Sequence, residues 1–269
     1  MKGIVYIAVL MMLTLVGCSS EPPTQASVVN DDVIAEVAAG AISYQSNGLA
    51  ATLNDLVAAG KGIPLRGDQQ SGEVTVVQSD SSFDSASRLQ TIDLTCQRDR
   101  SDAYSEWELR YQISYAGVDA QKSAAPRPVN PMMAHSSTDG TYRNARLTVQ
   151  GRSVGNIRFD SLNLAGGVYL SGEYLWDGTS MVRADEARFS DVAIRCTWSR
   201  LYLVADPHSG ESTIMGRCDM NISANGPSGV ISKNGTLQLD GGDFAILTIG
   251  AKRYRIDVRN CDVRRLAVS

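Results

Sequence analysis

The chain of 269 residues is 43% hydrophobic and 20% charged, an ordinary globular balance that excludes wholesale disorder. Its formal net charge of −4 at pH 7 is mildly acidic and argues against a nucleic-acid-binding protein. With an N-terminal leader set aside, about 250 residues remain, enough for one large or two small domains.

Lys2 is the only charge before Glu21, and residues 3–16 form an uncharged, mostly apolar run. A membrane-spanning helix needs roughly 20 apolar residues to cross about 30 Å of hydrocarbon, so this run is short for one. A basic start, a short apolar stretch and a small residue at its end fit a signal peptide over residues 1–17. Leu15-Val16-Gly17-Cys18 resembles the lipobox of bacterial lipoproteins. The resemblance implies cleavage before Cys18 and lipidation of Cys18 as the mature N-terminus. Because Ser19 and Ser20 follow instead of an aspartate, it also implies sorting to the outer membrane of a Gram-negative envelope. Each buried CH₂ of an acyl chain contributes about 0.8 kcal/mol, and two or more chains anchor stably. Residues 18–30 then read as a polar tether.

Residues 31–123 are expected to form a helical hairpin followed by a β segment. Asp31 and Asp32 suit a helix cap and the positive end of a helix. Ile34, Val37, Ala38, Ala41 and Ile42 recur at helical spacing, and Asn47-Gly48 supplies a stop. Leu49, Leu53, Leu56 and Val57 line one face of a second short helix ending at Gly60. Neither is long enough to be stable alone in water, so both should pack on something else.

From Glu73 the period changes to two, and "EVTVVQ", "QTIDLTCQ" and "EWELRYQISY" read as strands. Residues 124–140 carry Pro126, Pro128 and Pro131; prolines do not belong in a central strand, so this stretch reads as a linker or one long loop. Residues 141–269 are dense in short alternating runs. Asp177-Gly178 and Asn234-Gly235 read as type I′ hairpin turns, with Asp139-Gly140 and Asp240-Gly241 as weaker ones. The expected fold is therefore mainly β: an antiparallel meander, sandwiched or barrel-like, with a short N-terminal helical hairpin.

Of five cysteines, Cys18 is assigned to lipid, which leaves Cys96, Cys196, Cys218 and Cys261. An even remainder in an exported protein reads as two disulfides; Cys196–Cys218 is the favoured cross-strand link, with Cys96–Cys261 by elimination. The absence of a CxxC pair and the presence of only two histidines argue against a structural zinc site. No metal and no cofactor are expected.

No nucleophile elbow, phosphate-cradling loop or H-E-x-x-H occurs. The acidic pairs Asp185/Glu186 and Asp240/Asp243, and a loop carrying Asp206 and His208, are the available acid–base groups for an envelope hydrolase. Near the C-terminus, strand alternation puts Arg253, Arg255, Asp257 and Arg259 on one face, opposite Tyr254, Ile256 and Val258. Arg253, Arg255 and Arg259 are candidate contacts for an anionic partner such as lipopolysaccharide, peptidoglycan or an envelope protein. The expectation is a non-catalytic envelope lipoprotein presenting a β-rich binding or assembly domain, with a surface adhesin or a hydrolase as alternatives.

Overall fold

The computed structural model describes residues 30–60, 65, 75–99, 101–119, 127–162, 166–205 and 212–267. Residues 1–17, expected as a signal peptide, Cys18 and the expected tether before Asn30 lie outside the described residues, as do Asp206 and His208.

Two helices come first, α1 (Asp31–Ile42) and α2 (Leu49–Gly60). Twelve strands follow: β1 (Thr75–Asp84), β2 (Leu89–Asp99), β3 (Ala103–Asp119), β4 (Arg127–Asn144), β5 (Leu147–Leu162) and β6 (Val168–Val182). Then come β7 (Ala187–Ala205), β8 (Ser212–Gly226), β9 (Gly229–Asp240), β10 (Phe244–Ile249), β11 (Lys252–Asp257) and β12 (Val263–Arg265). All pair in sequence order, each antiparallel to the next, as one 12-stranded sheet. The meander is not a closed barrel: among the described residues β1 and β12 are its two edge strands.

Side chains alternate across the sheet. On β3, Trp107, Leu109, Tyr111 and Ile113 are buried while Glu106, Glu108 and Arg110 are exposed. The outward positions carry water-facing ion pairs, among them Arg110 Nε to Asp93 Oδ1 at 2.6 Å and Arg195 Nη2 to Glu173 Oε2 at 2.8 Å. Exposed pairs of this kind contribute about 0–1 kcal/mol each. Their structural meaning is the polarity of the face, which is opposite to the apolar band a membrane-spanning barrel turns outward.

The inward face packs on the helices. α1 touches β5, β6, β7, β10, β11 and β12, and α2 touches β4 and β7. From Val33 to Ile42 only Glu36 is not buried, and Leu49 to Ala59 are buried without a break. The sequence pattern suggested one apolar face per helix. Both are instead covered almost all round, which explains the small residues Ala35, Ala38, Ala39, Ala50 and Ala51 between the large ones. At Gly40 a Cβ would lie 2.9 Å from the side chains of Leu147 and Val149, so glycine lets α1 sit close against β5. Burying Ile34, Ile42, Leu53 and Leu56 stabilises the assembly by about 1.5–3 kcal/mol each. One contiguous core runs from Val33 to Val263.

Polar contacts fix the helices in place. The cap of α1 is Asn30 rather than either aspartate: its Oδ1 accepts from the amides of Asp32 at 2.8 Å and Val33 at 3.1 Å. That frees the aspartates to reach the sheet. Asp31 meets Lys233 at 2.9 Å and Lys252 at 3.1 Å, and the hydrogen bond from Lys233 in particular holds its carboxyl below the usual range. Asp32 accepts from the Tyr254 hydroxyl at 2.7 Å. Arg146 joins Glu36 of α1 at 2.7 Å and Asp262 at 3.6 Å, bridging the β4–β5 turn to the end of the chain. The α1–α2 turn is bonded to the same end, through the amides of Tyr44 and Gln45 to the carbonyls of Val258 and Arg259 at 2.7 and 3.1 Å.

Two sequence expectations are corrected here. Residues 127–140, expected in a linker or loop, belong to β4. β5 pairs with β4 only from Met133 onward, so Pro128 and Pro131 lie where β4 is bonded to β3 alone, at a register shift by Tyr115. A strand bonded on one side tolerates a missing N–H. Pro126 lies outside the described residues. Second, Asp177-Gly178 lies within β6, Asn234-Gly235 within β9 and Asp139-Gly140 within β4. Only Asp240-Gly241 makes its expected turn, with Gly241 at φ 85°. Gly140, Gly151 and Gly178 stand side by side across β4, β5 and β6. Trp107 lies across Gly140, and Trp176 across Gly151. Glycines covered by aromatic rings let a sheet curl sharply without opening a void.

A Cβ on Gly151 would overlap the carbonyl oxygen of Asp177 on the neighbouring strand. Gly151→Ala should therefore destabilise the fold by about 2 kcal/mol, read as a lower denaturant midpoint at unchanged slope.

Candidate functional site

A row of polar side chains crosses the outward face, one or two from each strand. His135 Nδ1 and Asn156 Oδ1 lie 2.9 Å apart, and Asn156 Nδ2 donates to Glu173 Oε1 at 3.3 Å. Glu173 accepts in turn from Arg195, and Asn221 Nδ2 donates to Asn234 Oδ1 at 2.7 Å. Strand register produces this row, because His135, Asn156 and Glu173 are successive cross-strand partners, as are Arg195, Asn221 and Asn234.

The row ends in a shallow, open pocket of about 470 Å³. Arg195 and Thr197 of β7, Asp219 and Asn221 of β8, Asn234 and Thr236 of β9, and Thr248 of β10 line it. Each of β7, β8 and β9 contributes residues i and i+2, the spacing that puts two side chains on one face of a strand. The lining offers hydroxyl and amide groups with one charge of each sign, a set that suits a ligand rich in hydroxyls or amides. None of these residues was a candidate from sequence. Each polar pair looks like ordinary solvent-facing alternation until register aligns the strands.

The cysteines are placed differently from the expectation. Cys96, Cys196, Cys218 and Cys261 are all buried, and among the described residues no disulfide joins them. Cys196 stands opposite Met220, so Cys218 is its diagonal neighbour across β7 and β8. Diagonal positions are about 7–8 Å apart, beyond the usual 4.4–6.8 Å between bridged Cα atoms, so joining this pair would require the strands to shift. Cys96 stands opposite Trp107 on β3. Cys261 instead donates to Ser46 Oγ at 3.6 Å, with backbone φ at +66°. Burial raises the thiol of Cys196 well above its ordinary range and pushes that of Cys218 up to about 12.

Two of the three arginines proposed to contact an anionic partner are engaged within their own domain. Arg259 Nε bonds Asp243 at 2.7 Å, and the Arg255 guanidinium lies 3.5 Å from the Phe244 ring centroid. Arg253 is exposed on β11. The alternation of this strand is as expected, with Tyr254, Ile256 and Val258 buried. Of the acidic pairs, Asp185 and Glu186 sit in the β6–β7 turn, while Asp240 accepts from Gln238 and Asp243 holds Arg259. Among the described residues no cluster of three or more His, Cys, Asp and Glu could hold a metal ion.

Comparison with protein families, curated proteins and solved structures finds no match to the chain.

As folded here, the thiols at positions 96, 196, 218 and 261 should resist alkylation in the native protein. All four should react after denaturation without reductant. Recovery of a disulfide-linked peptide pair in non-reducing mass mapping would instead restore the bridged arrangement.

Proposed function

We propose that the chain is an envelope lipoprotein, held on the outer membrane by acyl groups on Cys18, whose β domain is a non-catalytic binding or assembly module. The observation that carries this reading is the polarity of the sheet. Its outward face is charged and hydrogen-bonding from β2 to β9, while its apolar face is turned onto α1 and α2. Such a domain resides in water, and attachment to a membrane falls to the lipidated cysteine that the lipobox resemblance implies. The open, polar pocket across β7–β10 supports recognition of an extended polar ligand over enclosure of a reacting one. Partners consistent with this lining are envelope glycans or a polar segment of another envelope protein.

Two results test the reading. Cys18→Ala should abolish incorporation of labelled palmitate and move the chain out of the outer-membrane fraction. A Cys18→Ala protein that remains membrane-bound at its processed mass contradicts it.

A further inference from the structure

Arg98 is the one inward-facing arginine of β2, at 4% exposure, in the series Ile92, Leu94, Cys96 and Arg98. Neither its Nε nor its Nη1 has a hydrogen-bond partner, and among the described residues no carboxylate pairs with it. Its cross-strand neighbour on β3 is Ser105, whose own neighbour on β4 is Tyr142; both are neutral. Asp99 is exposed on the opposite face of the strand. Asp55, the buried carboxylate of α2, is bonded to Tyr111, whose backbone stands six residues beyond Ser105 along β3, about 20 Å at the rise of a strand.

A guanidinium cannot escape burial by losing its proton, and a lone buried charge is among the costliest groups in a fold. The next inward position is also unmet. Trp107, diagonal to Arg98 and 2% exposed, has no partner for its Nε1–H. Three N–H groups on these two diagonal residues thus lack acceptors. A site short only of acceptors, and carrying a positive charge, is complementary to an oxyanion.

We propose that Arg98 and Trp107 form an internal site for an oxyanion, the carboxylate or phosphate group of a ligand that enters the concave side of the sheet. This site is separate from the outward pocket and does not depend on the lipidation of Cys18. Asn144, Tyr142 and Gln45 stand beside it in one hydrogen-bonded chain, Asn144 Nδ2 to Tyr142 Oη at 2.9 Å and Tyr142 to Gln45 Oε1 at 3.1 Å, so that its wall already has partners of its own.

The test titrates the full chain with inorganic phosphate and, separately, with dodecyl phosphate, and follows the thermal midpoint. A ligand bound only by the folded state raises the midpoint saturably. A rise with phosphate identifies a free oxyanion as sufficient; a rise with dodecyl phosphate alone identifies an amphiphile whose head sits on Arg98. In either case Arg98→Met should abolish the rise, and its midpoint without ligand should exceed that of the wild type. Trp107→Phe keeps the ring over Gly140 and should weaken binding about tenfold. Arg98→Met is the deciding variant, and should it not fold, Trp107→Phe takes its place. No rise with either probe, or a rise of the same size in the deciding variant, overturns the proposal.

Discussion

A sheet whose two edges do not meet has to bury its apolar face on something other than itself. Here that requirement falls on 30 residues, Asp31 to Gly60, which supply two helices covered almost all round. The rest of the architecture follows from it. The sheet must curl, and inward glycines with tryptophans across them allow the bend. The helices must be held at fixed depth, and Asp31, Asp32, Glu36 and the α1–α2 turn are bonded to the sheet for that purpose. Because those bonds reach β9, β11 and the segment after β11, the hairpin ties the last strands to the first half of the sheet without any β1–β12 pairing. Isolated helices of this length would be marginal in water; their stability is tertiary.

The same curl divides the chemistry of the molecule. Polar groups on the outside are solvated, paired with weak exposed partners, and arranged in a row that only register creates. Most polar groups on the inside are neutral, and Arg98 and Asp55 are the buried charged side chains among the described residues. Tyr111 and Asp55 form a bonded pair at 2.7 Å, Tyr142 joins Gln45 and Asn144, and Arg98 carries a full charge with no partner at Nε or Nη1. A buried network that is satisfied rigidifies a core, whereas an unsatisfied charge weakens it. The contrast between these inward groups is why Arg98 reads as a group kept for a ligand.

The elements were legible in sequence to the extent that they depend on local pattern. The helical hairpin stands where periodicity and Asn47-Gly48 put it, and alternation correctly sorted Tyr254, Ile256 and Val258 from Arg253, Arg255 and Arg259. Errors arose where long-range pairing overrides a local signal. Asp177-Gly178 has the composition of a hairpin turn, but Gly178 is paired with Gly151 and Val192 inside a long strand. Pro128 and Pro131 are breakers in general and harmless on a stretch paired on one side. Asn30, the cap of α1, is followed by two aspartates with the same local signal, and their distant partners Lys233, Lys252 and Tyr254 are invisible to local reading. The pocket residues and Arg98 were beyond reach for the same reason: a polar residue on a strand acquires meaning only when its cross-strand neighbours are known.

Native-state hydrogen exchange, resolved to single amides, tests most directly the claim that the sheet is organised around its helices. Amides of Val33–Ile42 and Thr52–Ala59 should exchange as slowly as those of the inward-packed strands β5–β8 and through the same global opening. Helix amides that exchange rapidly while the sheet stays protected would contradict it, since the sheet would then stand without the hairpin.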